Sequence, residues 1–184
     1  VNLLCQILVR KKIQKQFGGN LQAFVSGGGA LDKKVGEFLN AIGLPTLQGY
    51  GLTETSPVVS CNLPDNIKDE IHQLLLKDLQ DWCGIDLFPT YVYGIRVYQE
   101  GAILTPHRDR EQTHIIGTII NIDQKVEKDW FLEIEDHKSR KHKVTLFPGE
   151  VLFYESASLL HGRPEPLKGD YFSNIFCHYM PKLI

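Results

Sequence analysis

The stretch Tyr91-Val92-Tyr93-Gly94-Ile95-Arg96-Val97-Tyr98, followed by Gln99–Pro106 and then His107-Arg108-Asp109, decides the fold class. Aromatic and β-branched residues dominate 91–98, which predicts a strand, and 99–106 reads as a turn. Five further runs downstream have the same character: 114–122, 130–135, 142–146, 150–154 and 172–179, with turn residues between them. No helical rhythm is found after Gly84. Immediately upstream, Ile67, Ile71, Leu74, Leu75, Leu79 and Trp82 recur at threes and fours, which predicts one amphipathic helix over 67–82 stopped at Gly84. One flanking helix and many short strands imply a mainly β domain over 64–184, a small barrel or double-sheet jelly roll.

The residues before this region differ in kind. Residues 3–17 have helical rhythm up to Gly18-Gly19, 21–26 is strand-like, and Asp32 is placed to cap a helix running to about Ile42, stopped by Gly43 and Pro45. The order helix, strand, glycine loop, helix, strand is that of an incomplete α/β fragment. The junction falls at Asn62-Leu63-Pro64-Asp65-Asn66, giving expected domains of 1–62 and 63–184. Charge changes sign there: 1–62 hold six basic and three acidic side chains, 63–184 hold 14 and 19, and the chain of 184 residues has net charge −2.

Composition narrows the function classes. A hydrophobic fraction of 42% and a charged fraction of 23% describe a folded chain rather than a disordered one. No apolar run reaches the roughly 20 residues of a membrane span, and the charge balance gives no nucleic-acid footprint. The apolar opening residues lack the flanks of a signal peptide, and a first residue of Val predicts a start inside a longer reading frame. Cys5, Cys61, Cys83 and Cys177 are far apart with no CxxC, so reduced thiols in a cytoplasmic protein are expected.

The chemistry centres on His107-Arg108-Asp109. In an extended segment residues two apart share a side, so His107 and Asp109 aim an imidazole and a carboxylate at one point. His161, which follows the strand Val151–Tyr154 at a distance of 54 residues from His107, is the candidate third ligand. Two histidines and one carboxylate leave half an octahedron open, as in non-haem Fe(II) oxygenases, whereas structural zinc closes four positions. An isolated HxD is common, and a lone histidine is ordinarily a surface or hydrogen-bonded residue; the context is what raises this instance. His114, five residues past Asp109, reads as a strand-end histidine with a supporting place behind the ligands as the alternative, His137 and His142 as parts of a charged hairpin tip, and His178 as a core or edge histidine. Arg108 and Arg110 alternate away from the ligands toward water.

Tyr98, Pro106-His107-Arg108-Asp109, Phe147-Pro148-Gly149-Glu150 and His161 together resemble the prolyl 4-hydroxylase branch of the Fe(II)/2-oxoglutarate dioxygenases, over about 64–181. The resemblance implies a double-stranded β-helix and iron held by His107, Asp109 and His161. It also implies 2-oxoglutarate and O2 as cosubstrates, with ascorbate as reductant, and hydroxylation of a prolyl peptide or another small C–H substrate. Tyr98 matches the tyrosine lining the cosubstrate pocket. The family places a basic residue nine or ten positions beyond the distal histidine, where this chain has Asp170 and Tyr171. A buried carboxylate needs a cation or strong donors. Lys168 is the first candidate, with Tyr171 or with Thr118 on a neighbouring strand; Arg163, two residues past His161, is the second.

Phe24-Val25-Ser26-Gly27-Gly28-Gly29-Ala30-Leu31 and Gln48-Gly49-Tyr50-Gly51-Leu52-Thr53-Glu54-Thr55-Ser56-Pro57 resemble the adenylate-forming, long-chain acyl-CoA synthetase family. That resemblance implies that Gly27–Gly29 approach adenine and that Tyr50, Gly51, Thr53 and Glu54 hold nucleotide and Mg²⁺. Only about 62 residues are covered, and the phosphate loop, ribose-binding Asp and catalytic Lys of the family are not among them. The reading is therefore a remnant. A ligase fragment with residual nucleotide binding and a non-catalytic jelly roll are the competing functions. A peptide of residues 1–62 is expected to bind ATP no better than background in equilibrium dialysis.

Overall fold

Strand β12 (Gly169–Pro181) is the backbone of the architecture. The computed structural model describes residues 11–16, 18–19, 23–26, 31–41, 44, 46–50, 60–61 and 65–182. The chain divides into two units, 1–64 and 65–184.

The larger unit starts with a helix, Asp65–Cys83, here α3, followed by nine strands. These are β4 (Leu87–Val92), β5 (Ile95–Gln99), β6 (Leu104–His107), β7 (Ile116–Val126), β8 (Leu132–Glu135), β9 (Lys141–Val144), β10 (Val151–Tyr154), β11 (His161–Arg163) and β12. In one sheet β12 lies between β7 on one side and β5 and β4 on the other, with β10 beyond β7. The other sheet runs β6-β11-β8-β9. All these pairings are antiparallel. Between the sheets pack Ile119, Trp130, Leu132, Ile134, Leu146, Tyr154, Leu167 and Phe172. Burying such side chains contributes on the order of 2 kcal/mol each. The unit is the mainly β jelly roll with a flanking helix that the strand pattern implies.

Three local readings change. The strand expected over 91–98 is two strands, broken at Tyr93-Gly94. There the Tyr93 N–H leaves the ladder to donate to the Phe176 carbonyl (2.9 Å), and the chain shifts along β12 from Cys177 toward Asn174. The expected turn 99–106 ends in a strand, because β6 is an edge strand and an edge tolerates Pro106. Strand β11 has no strand-forming pattern; its pairing with β6 and β8 makes it a strand.

Helix α3 forms where expected, but its inward face differs. Leu79 is fully buried, while Leu74 is 69% exposed and His72 takes an inward place, its ring edge against Tyr179 at 5.2 Å. The Tyr179 hydroxyl donates to the His72 carbonyl (3.2 Å).

In the smaller unit the described elements are α1 (Lys11–Gln16), β1 (Phe24–Ser26), α2 (Lys33–Ala41), β2 (Thr46–Tyr50) and β3 (Ser60–Cys61). β1 and β2 are parallel through the α2 crossover, and β3 is antiparallel to β2. The Asp32 carboxylate accepts from the N–H groups of Lys34 (2.9 Å) and Val35 (3.2 Å), the cap that the sequence suggests. Residues 3–10, Gly27–Gly29 and 51–57, on which the helix start and most of the nucleotide motif fall, lie outside the described residues.

One glycine is required by the packing of the small sheet. A Cβ on Gly162 of β11 would lie 2.7 Å from the Leu104 carbonyl oxygen and 2.7 Å from the Pro106 Cα, both backbone atoms of β6. Gly162→Ala is expected to lower unfolding stability by about 1–3 kcal/mol, read from the urea midpoint, by forcing β6 and β11 apart.

Candidate metal centre

His107 closes β6 and His161 opens β11, and the antiparallel register sets these two residues opposite each other. Their ring centroids are 4.5 Å apart. Asp109 follows β6 by two residues and is tied down by its own N–H, which donates to the Ser156 carbonyl (2.9 Å). One ligand atom from each of the three lies within 4.8 Å of the others. His107 Nδ1 faces the Thr105 carbonyl at 2.8 Å and His161 Nδ1 the Leu159 carbonyl at 2.9 Å. A carbonyl can only accept, so each Nδ1 carries the proton and each Nε2 offers a lone pair. Two neutral imidazoles and a carboxylate converging on one point suit a divalent cation.

The electrostatics agree with that donor set. Burial holds His161 below the usual histidine range and so neutral. Burial alone would push Asp109 up, but the partnership with His107 and the electrostatic influence of the neighbouring His178 and His161 rings outweigh it, and the carboxyl is held low. The Asp109 partnership raises His107 against the opposing effect of burial. The second Asp109 oxygen faces His178 Nδ1 at 3.8 Å. His178 is pushed down strongly by burial and by His114 beside it.

The triad opens into a cavity of about 180 Å³ between the sheets. At one end Arg163 is 1% exposed. Its guanidinium lies over Trp130 (4.7 Å) and Phe172 (4.4 Å) and donates through one nitrogen to the Trp130 carbonyl. Its other terminal nitrogen and the Tyr98 hydroxyl are buried without a hydrogen-bond partner. Burial lowers Arg163 to about 10, which leaves it charged. Each unpaired buried donor costs on the order of 1–3 kcal/mol, so an anion that accepts from both recovers that energy on binding. Tyr154, whose hydroxyl is 3.4 Å from His161 Nε2, lines the same space.

The structure separates the cosubstrate candidates. Tyr98 and Arg163 line the cavity. Lys168 is exposed and borders a different depression, with Lys128, Asp129 and Glu165. The Tyr171 hydroxyl donates to Asp123 (2.7 Å) away from the cavity. Thr118 is buried, but its neighbour Ile119 is the β7 residue that faces the cavity, so alternation turns Thr118 to the other side. Arg163 reaches inward because it sits two residues beyond His161 on one short strand. That spacing of two was the signal in the sequence. Tyr154, His178, His114, Tyr93 and Arg96 also line the cavity; the nearness of His114 to Asp109 in sequence, the tyrosine at the end of the run 151–154 and the alternation of His178 with Phe176 were the traces of this. His142 and Arg140 pair with Asp136 at the β8–β9 tip, as expected of a charged hairpin. Arg108 donates to the Ser158 carbonyl (2.9 Å).

Comparison with known proteins returns both resemblances. The AMP-binding enzyme family matches residues 1–75. A probable chloroplastic acyl-activating enzyme from Arabidopsis thaliana is 39% identical over 94 residues, covering 48% of this chain and 13% of that protein. The chain thus spans little more than a tenth of the length of the curated relatives it matches. Among solved structures, an oxidoreductase of the 2OG-Fe(II) oxygenase family from Burkholderia pseudomallei superposes with TM-score 0.53 at 13% identity, over 64% of this chain and 58% of that one. The non-haem α-ketoglutarate-dependent epimerase SnoN from nogalamycin biosynthesis gives 0.52 at 14%, over 82% and 75%. The fold is that of the 2OG-Fe(II) oxygenases.

Metal binding should follow the protonation of His107. A protonated ring cannot ligate, and His107 is the triad histidine whose value is raised. Co(II) affinity measured by competitive chelator titration is therefore expected to be flat above the His107 value, which lies higher than that of an ordinary histidine. It should fall about tenfold per pH unit once the pH drops below the His107 value. His107→Ala and His161→Ala are each expected to abolish binding.

Proposed function

We propose that residues 65–184 form a non-haem Fe(II) oxygenase that uses 2-oxoglutarate and O2 to hydroxylate a C–H substrate, a prolyl peptide or another small molecule. The observation that carries this reading is the coincidence, in one cavity, of a three-ligand centre and a buried cation with unpaired donors. His107, Asp109 and His161 would hold the iron, which when bound supplies the O2 chemistry of an open facial site.

The chain's own groups perform the rest. Arg163 and the Tyr98 hydroxyl take the outer carboxylate of 2-oxoglutarate. Trp130 and Phe172 hold the guanidinium rigid, so little reorganisation is needed on binding. Leu104, Ile119, Leu132 and Phe176 supply apolar wall that limits water. Tyr154 keeps its proton, since burial raises it well above the usual range; it therefore acts as a neutral donor. Ascorbate would serve as reductant. Cys83 and Cys177 are free thiols, which supports a cytoplasmic location, and no described helix is long and apolar enough to cross a membrane.

A second reading rests on the AMP-binding match over residues 1–75, which favours an acyl-CoA synthetase fragment with residual nucleotide binding. A jelly roll without catalysis is the third. Succinate production separates all three. With Fe(II), ascorbate, 2-oxoglutarate and air, the full chain is expected to form succinate. Without O2 it should develop the visible charge-transfer band of an iron-bound 2-oxo acid. Arg163→Met is expected to weaken 2-oxoglutarate binding roughly 30-fold, equivalent to about 2 kcal/mol, while Co(II) still binds. Absence of both succinate and the band in the wild type overturns the oxygenase reading.

A further inference from the structure

We propose that the part of the cavity served by Arg96 is the subsite for the primary substrate, and that this substrate is a monoanionic carboxylic acid with a flat, apolar body. The inference rests on the oxygenase reading above. Arg96 and Tyr98 are two apart on β5 and both face the cavity. The Arg96 guanidinium lies over Phe176 at 5.5 Å, whereas Arg163 lies over Phe172 at 4.4 Å. These two rings are four residues apart on β12, about 13 Å of extended strand, so the two cations are seated at different levels of the cavity. Beyond Phe176 on the same inward face comes His178, at the level of Asp109.

Arg96 is half-buried and has no ion pair or side-chain hydrogen bond among the described residues. Asp109 is the only acidic residue among those lining the cavity. A divalent metal, the Asp109 carboxylate, the Arg163 guanidinium and a 2-oxoglutarate dianion balance one another. The Arg96 charge is left over, and a half-buried, uncompensated cation on a cavity wall favours an anion. One surplus charge matches a carboxylate; a phosphate monoester dianion would overshoot it. Guanidinium presents paired donors that fit either oxyanion, so charge decides between them.

The rim supplies the second element of recognition. Tyr91 and Tyr93 are stacked, with centroids 6.2 Å apart and ring planes 12° apart, and His114 stacks on Tyr91 at 5.4 Å. The Tyr93 hydroxyl is held by His114 Nε2 at 2.9 Å, which fixes the ring. Tyr91 and Tyr93 are nevertheless 46% and 42% exposed. A rigid, partly exposed aromatic shelf, whose Tyr93 lines the same cavity as the Arg96 guanidinium, suits a flat apolar body that carries one carboxylate.

Titration of the full chain with phenylacetate, phenylacetamide and phenyl phosphate, followed by ligand-observed NMR with and without metal, tests this. Wild type is expected to bind phenylacetate at least tenfold tighter than the neutral amide and tighter than the phosphate. Arg96→Gln should erase the acid–amide difference and Arg96→Lys should retain part of it. In Arg96→Gln the affinity for 2-oxoglutarate should change less than threefold. Equal binding of acid and amide, tighter binding of phenyl phosphate, or a tenfold loss of 2-oxoglutarate affinity in Arg96→Gln each overturns the proposal. Should the wild type form no succinate while the phenylacetate preference persists, the oxygenase reading falls and the Arg96 anion site stands.

Discussion

The pairing of β6 with β11 is the constraint on which the rest depends. It is short, four residues against three, and neither strand is built from strong strand formers. Yet it alone sets His107 opposite His161 and fixes where a metal can sit. The register is held by close backbone approach at Gly162, where no side chain fits, and by β8 on the other flank of β11. The opposing wall follows the same rule. A Cβ on Gly117 of β7 would meet the Ser156 side chain at 2.8 Å and Tyr154 at 3.0 Å, so only glycine lets the segment carrying Tyr154 and Ser156 close in. Ser156 in turn accepts from the Asp109 N–H, which completes the triad.

Around that centre the cavity is graded in charge. A guanidinium stacked between two aromatic rings is a cation that has surrendered most of its water but kept its charge, a costly arrangement unless something occupies the space beside it. The unpaired Arg163 nitrogen and Tyr98 hydroxyl are the two donors that such an occupant would satisfy. The histidines are graded as well. His161 and His178 are buried and lowered, while His107 is half-buried and raised by Asp109. Protonation therefore reaches the triad first through His107.

The smaller unit obeys local rules and carries a recognisable α/β beginning: a capped helix between two parallel strands. Its glycine-rich motifs mark a family, but a nucleotide site in a fold of that kind is assembled from many strand ends. Three described strands supply few of them.

Much of this protein was legible in its sequence. Alternation and turn residues determine the mainly β class, and the threes and fours of 67–82 determine α3. The pair His107 and Asp109 with a distant His161 names a candidate metal centre, because two-residue spacing in an extended chain leaves little freedom in where side chains point. The tertiary structure decided what local pattern does not encode. It placed Arg163 rather than Lys168 in the cavity, since which residues of a short strand and the loop after it turn inward depends on the partner strands. It broke 91–98 at Tyr93-Gly94 and turned Leu74 outward in favour of His72. It also gathered Tyr154, His178, His114, Tyr93 and Arg96, scattered over more than eighty residues, around one space, because in an antiparallel jelly roll proximity is set by pairing across sheets rather than by distance along the chain.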